Sequence, residues 1–488
     1  MTVADRQPSP LPNTPLRHDL AAIIAATTAA IDPARLVLDR LSLQQPASQL
    51  WSAGQPVSVA GSETIDLDRV DRIVVVGGGK AAAGFAAGLE ALLGPQRLTQ
   101  HRVRGLVSVP EGCGLPLAEI EVRETRPSGV NLPTAAVVTA THEMLAMLGR
   151  LGPADLAIVL ITGGGSALLE APVEGISLPL LTRTTQQLAA AGADITAINT
   201  VRRAVSRVKG GGLAGSCTAG RLLAVVLSDV IGDDLSTIAS GPCLPAMIDS
   251  DGLAALLAHY QVSATDRELL LQAARLAAAS RPPATADSAG RWITPAGCRV
   301  GHLLLGSNAT AVGAAAAAAQ ARGYQVVSAD TVTAAETAND VGVRLAQQSR
   351  QLLAACQQDG RPRALIEGGE ATVVVPADHG RGGRNQQTVL AAVQQLFVSG
   401  HQPPSPPPQL LLASFGTDGE DGPTTAAGGF TDPQVAASLS HQPEVLRRAI
   451  DRCDAHPLLA AAGGLIETGP TGTNVADVRI MLIRPGSS

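Results

Sequence analysis

The residues best suited to chemistry in this chain sit in glycine-rich turns that directly follow short apolar runs. One is Gly77-Gly78-Gly79-Lys80 and another is Thr162-Gly163-Gly164-Gly165-Ser166. Glycines let backbone N–H groups converge on an anion, and a helix that starts there adds about half a positive charge. Lys80 adds a whole one. Gly78, Gly79, Gly164, Gly165 and Ser166 are therefore candidate contacts to phosphate or carboxylate oxygens. Neither turn completes a standard motif. A Walker A loop needs Gly where Val74 stands and Ser or Thr where Ala81 stands, and a dinucleotide fingerprint from Gly77 meets Ala82 with no acidic strand end about 20 residues on. Taken alone, each is equally well read as a plain tight turn.

Further candidates follow in order. Asn199 and Arg202 share one face at i, i+3 of a basic helical stretch that runs to Gly210-Gly211-Gly212, with Lys209 placed to complement the helix C-terminus. Arg203 and Arg207 read as a solvated face. Asp229, Asp233 and Asp234 follow another apolar run. Mg2+ takes a few carboxylates plus water and nucleotide oxygens, so Asp229 and Asp233 are the candidate metal ligands, with turn-making as the structural alternative and helix capping for Asp234. Downstream, Glu370 ends Glu367-Gly368-Gly369-Glu370, and Arg384 follows Gly382-Gly383 at a helix start, where a planar fork can clamp carboxylate or phosphate. Asp418 and Asp421, then Asn474 and Asp477, again place polar groups in turns after strands, without the ligand spacing of an EF-hand.

These residues need elements to position them. Short apolar runs alternating with helical patterns (73–76, 103–109, 156–162 and 222–228) predict an N-terminal, Rossmann-like, mostly parallel sheet, preceded by a helical stretch over 16–43. Composition shifts between Ser280 and Gly297, which predicts domains over 16–280 and 298–488. In the second, strands are expected at 302–305, 325–328, 364–367, 372–375, 410–414, 464–467 and 479–483. The pair around Gly368-Gly369 suggests a hairpin and hence a mixed sheet. The fold class is α/β, in two lobes.

Bulk properties narrow the function. The net charge of −6 lacks the basic footprint of a nucleic-acid binder, and six scattered cysteines form no CxxC pair or Cys/His cluster for zinc. Met1 to Pro15 is polar and Pro-rich, and no apolar run is long enough to span a bilayer. The expectation is a cytoplasmic protein with no membrane or nucleic-acid partner.

In order, the segments GGGKAA, ITGGGSALLEAPVEGISL, INTVRRAVSRVKGGGLA, LSDVIGDDLSTIASGP, GGEATV, GRGGRNQQ, GTDGEDGPTTAAGG and TGPTGTNVAD resemble the glycerate 2-kinase family, whose C-terminal lobe is called the MOFRL domain. The resemblance covers about residues 20–484. It implies transfer of the γ-phosphoryl of ATP to D-glycerate, giving 2-phosphoglycerate, with a divalent metal such as Mg2+, and it leaves a homodimer open. It assigns catalytic roles to Lys80 and Arg384, joined by Asp229, and carries over Ser166, Asn199, Arg202, Asp233, Glu370, Asp418, Asp421, Asn474 and Asp477. Asp229 or Asp418 would orient the acceptor hydroxyl. Two departures stand out. The family usually reads RKHLS where this chain has Arg203 and Ala204 in place of Lys and His, and GHPVPD where it has Arg126-Pro127-Ser128-Gly129. The rival enzyme is an NAD(P)H-dependent hydroxypyruvate reductase, a label also used in the family. The broken fingerprint argues against it, and against an anion sensor stands the density of aspartates beside the glycine turns.

Overall fold

The computed structural model describes residues 14–44, 48–281, 285–332, 336–398 and 409–486. The polar N-terminus up to Asn13, Pro282-Pro283 and the Pro-rich stretch 403–408 lie outside them. By internal contacts the chain forms two compact units, one of Pro33–Leu305 and one of Met1–Asp32 with Gly306–Ser488. Among the described residues no single helix is long and apolar enough to cross a membrane.

The Pro33–Leu305 unit is built on a seven-stranded sheet. Its strands are β1 (Ile73–Gly78), β2 (Arg104–Pro110), β3 (Ile120–Arg126), β4 (Leu156–Ile161), β5 (Arg221–Leu227), β6 (Trp292–Ile293) and β7 (Arg299–Gly306), in the order β6-β7-β5-β4-β1-β2-β3. From β5 to β3 every pairing is parallel. β1, β4 and β5 are near-continuous apolar runs because a parallel sheet is covered on both faces. Strand order reverses between β1 and β4, so this is the switch point at which ligands of open α/β sheets bind. Helix α2 (Ala82–Gln100) follows β1, α3 (Gly165–Leu168) follows β4, and α4 (Ile195–Ala204) precedes β5.

The second unit carries a six-stranded mixed sheet: β8 (Gln325–Thr331), β9 (Arg363–Gly369), β10 (Gln409–Gly416), β11 (Gly428–Thr431), β12 (Leu465–Ile466) and β13 (Asp477–Arg484), ordered β8-β9-β13-β10-β11-β12. β8 and β9 are parallel. β13 runs antiparallel between β9 and β10, which points those two strands the same way. The helices that matter here are α1 (Pro15–Ala30), α5 (Asn308–Gln320), α6 (Ala338–Asp359) and α7 (Arg384–Val393).

Four expectations change. Helix α1, read with the first domain, belongs to the second unit, where Arg17 makes a buried ion pair with Asp432 (2.6 Å). The strand at 302–305, read with the second domain, is β7 of the first sheet. No hairpin forms after Gly369, because β9 is flanked by β8 and β13, and Val374 and Val375 are 82% and 56% exposed, leaving no apolar face to hold a strand there. The basic helix ends at Ala204 instead of running to Gly210: Ser206 bridges to Pro172, and Gly210 and Gly211 adopt left-handed φ.

Candidate functional site

Each unit gathers the candidate residues along one edge of its sheet. In the parallel sheet, the turns after β1 and β4 are tied together: Lys80 N–H donates to the Gly163 carbonyl (2.9 Å) and Ala81 N–H to Thr162 Oγ1 (3.1 Å). Gly79 sits at φ +139°, and a Cβ there would fall 2.0 Å from Thr162 Oγ1, so this join admits only glycine. Asp229, just beyond β5, reaches the same turn, with Oδ2 2.7 Å from where a Cβ on Gly163 would lie. Lys80, the Gly163–Ser166 turn and Asp229 are thus neighbours on one carboxyl edge. Asp233 lies farther along its loop with φ 55°. Asp234 accepts from Ser236 N–H, Ser236 Oγ and Thr237 Oγ1, which closes a turn; the helix capping expected of it does not form, because the next helical turn, Ile238–Ser240, has Thr237 at its N-cap.

Behind the turn lies a polar relay. Ser166 Oγ is 3.0 Å from Ser240 Oγ, which donates to Asn199 Oδ1 at 2.9 Å. Asn199 is buried, so it fixes Ser166 through Ser240. Ala239 and Ser240 both hold left-handed φ (50° and 63°), a conformation that costs on the order of 1–3 kcal/mol per residue and clusters at functional sites. Bonds from Gly210 N–H to the Ser240 carbonyl and from Gly211 N–H to the Gly241 carbonyl hold that turn.

Lys209 is wholly buried. Its Nζ donates to the carbonyls of Ser166 and Leu169 (2.8 Å each) and pairs with Glu170 at 3.3 Å. Burial pushes its pKa down, while Glu170 opposes that shift. Burial likewise lowers the pKa of Arg202, again with Glu170 as the opposing charge, so Glu170 serves both cations. Arg203, read as solvated, donates to the Ser236 carbonyl (2.7 Å), whereas Arg207 is exposed. A separate open cavity of about 1330 Å³ in this unit, lined by Arg207, Met247, Leu269 and Leu276 among others, takes in none of the candidate residues.

In the mixed sheet, register sets Asp477, the first residue of β13, between Gly369 of β9 and Gly416 of β10. Arg384 grips it in bidentate fashion, Nε to Oδ2 at 2.6 Å and Nη2 to Oδ1 at 2.9 Å, and reaches Glu370 with Nη1 at 2.8 Å. Burial works against the charge on Arg384, yet the two carboxylates bind its proton more firmly than usual. The Asp477 side chain is fully buried and that of Glu370 is 48% exposed.

Gly383, at the N-cap of α7, has no side chain to cap it. Asp421 does so from another loop, accepting the N–H groups of Asn385 (3.0 Å) and Gln386 (2.9 Å) and both of their side-chain amides. A Cβ on Gly383 would lie 2.3 Å from Asp421 Oδ1, which explains the glycine. Burial pushes the Asp421 carboxyl up to about 6 against these donors. Its side chain therefore serves the helix start. Asp418 is partly exposed and accepts Glu420 N–H (3.1 Å). Asn474 accepts Ala476 N–H (3.0 Å), the bond that sets Ala476 at φ 65° just before Asp477.

Sequence reasoning passed over Glu170, Ser240 and Asn308, and it gave Lys209 only the role of complementing the basic helix's C-terminus, which fails because α4 stops at Ala204 and Lys209 Nζ turns instead to Ser166, Leu169 and Glu170. Asn308, at the start of α5, donates to the carbonyls of Val475 (2.8 Å) and Asp477 (3.0 Å) and so holds the start of β13. A Ser-Asn pair directly after a strand was the available signal for it. Among the described residues no group of three or more His, Cys, Asp or Glu side chains is placed to hold a metal.

Residues 19–271 match the family described as a domain of unknown function, DUF4147, and residues 363–477 match the MOFRL family. The D-glycerate 2-kinase of Thermotoga maritima is 33% identical over 87% of this chain and 94% of its own. The chain belongs to the glycerate kinase family. A crystal structure titled glycerate kinase, from Thermotoga maritima, superposes with a TM-score of 0.75 at 30% identity, covering 96% of this chain and 99% of that one. A relative from Agrobacterium vitis, 33% identical over 84% of this chain and 87% of its own, is named a putative hydroxypyruvate reductase.

Proposed function

We propose that this chain is a glycerate 2-kinase, moving the γ-phosphoryl group of ATP to D-glycerate to give 2-phosphoglycerate, with Mg2+ as the divalent ion and the cytoplasm as its setting. The observation that carries the reading is kinship with glycerate kinases over nearly the full length of both chains, and the resemblance of the glycine turns, Lys80 and Arg384 to that family's motifs agrees with it.

Phosphoryl transfer asks a protein mainly for positioning and charge neutralisation. The tied turns of Gly77–Lys80 and Thr162–Ser166 suit phosphate oxygens, with Lys80 supplying a point charge. Asp229 and Asp233 fit Mg2+, since that ion takes one or two carboxylates and completes its shell with water and phosphate oxygens, so no all-protein cage is needed. When bound, the ion would screen phosphate charge from those carboxylates. Arg384 is held by buried Asp477 through one side of its fork. Its half-exposed contact to Glu370 is the part a ligand's carboxylate or phosphoryl oxygen could replace. Asp229 or Asp418 would orient the acceptor hydroxyl.

ADP release with ATP, Mg2+ and D-glycerate tests this directly. NADH oxidation with hydroxypyruvate and no ADP release would establish the reductase instead.

A further inference from the structure

Arg126 ends β3, on the same carboxyl edge as Lys80, Gly163 and Asp229. Its Nη1 donates to Asn131 Oδ1 (3.1 Å), which aims the guanidinium across the edge, and Nη2 lies 3.7 Å from where a Cβ on Gly164 would be. Its Nε is buried and has no partner among the described residues. Arg384 has two carboxylates and Arg202 has Glu170, but among the described residues the only interaction that raises the Arg126 pKa against its burial comes from Cys113. A guanidinium stays charged and a half-buried one is costly without a counter-charge, so an anionic group of a ligand would suit this position.

Asp229 stands at Gly163 and Arg126 at Gly164, which sets an acid and a planar fork at successive residues whose Cα atoms are about 3.8 Å apart. A 2-hydroxy acid carries its hydroxyl and carboxylate on adjacent carbons. We infer that Arg126 is a specificity-determining residue that binds the carboxylate of the acceptor acid while Asp229 faces its hydroxyl. The inference rests on the kinase reading and adds the group that selects the acid.

Calorimetric Kd values for D-glycerate and for ATP, with steady-state kinetics and a thermal melt, should be compared in wild type, Arg126→Met and Arg126→Lys. Losing a charged hydrogen-bonding partner should raise the glycerate Kd and KM by about 10- to 100-fold in Arg126→Met, with a smaller rise in Arg126→Lys. The ATP Kd should move by less than about threefold. A folded Arg126→Met whose glycerate Kd stays within twofold overturns the inference alone, and so does a rise confined to ATP, which would assign the fork to nucleotide phosphates. Wild type that releases no ADP from glycerate overturns the kinase reading and the inference with it.

Discussion

Lys80 follows a turn that only glycine can form, and its backbone N–H is fixed to Gly163. If its ammonium meets charge growing on the transferring phosphoryl, Lys80→Ala should lower kcat by roughly 10²–10³, the range for removing one transition-state donor. A lysine at a helix start would otherwise oppose the helix dipole, and its removal would be neutral or mildly stabilising. A folded variant within about threefold of wild-type kcat would contradict the catalytic assignment. Arg384→Lys tests a different property. An ammonium cannot hold Asp477 in two places and also reach Glu370, so the variant should lose roughly 1–3 kcal/mol of stability and much of its kcat/KM. Lower melting with unchanged kinetics would reduce Arg384 to a structural clasp. At this scale the placement of Lys80 and Arg384 beside glycine turns was legible, since charge next to such turns is a local pattern, and their roles rest on the variants above. Lys209 was not. Its meaning depends on α4 stopping at Ala204 and on Glu170 lying opposite, neither of which spacing reveals.

Elements carry the next level. The apolar strands of the parallel sheet were legible because burial on both faces leaves continuous runs, whereas β3 was missed because its charged edge-strand sequence breaks the pattern. The expected hairpin at Gly369 failed because β13, more than 100 residues away, takes the place beside β9. β7 supplies a test of its own. Burial holds the His302 imidazole down to about 4, against 6.5 for a free one, and Gly290 packs beside it. A depressed base contributes stability that is present above pH 6.5 and lost as pH falls towards 4. Wild type should therefore lose up to about 3 kcal/mol relative to His302→Asn between those limits. Denaturant melts at pH 7 and 4.5 would show it, and parallel pH profiles for the two proteins would contradict it.

Over the whole molecule, the α/β class and two-part organisation were legible, but the membership of the parts was not. An apolar run such as β7 reads the same whichever sheet it joins, and the tie between Arg17 and Asp432 spans 415 residues of sequence. The whole chain carries a net charge of −6, and its acidic turns at Asp229 and Asp233 would repel a nucleotide unless screened. EDTA should abolish activity and added Mg2+ or Mn2+ should restore it, while full turnover in EDTA would remove the metal role. The central claim is the identity of the reaction, and phosphorus NMR of a mixture of enzyme, ATP, Mg2+ and D-glycerate reads it most directly. The account predicts loss of the γ-phosphate signal and growth of one phosphomonoester doublet, split by the single hydrogen on C2. A triplet from a 3-phosphate, or no phosphomonoester at all, would contradict it.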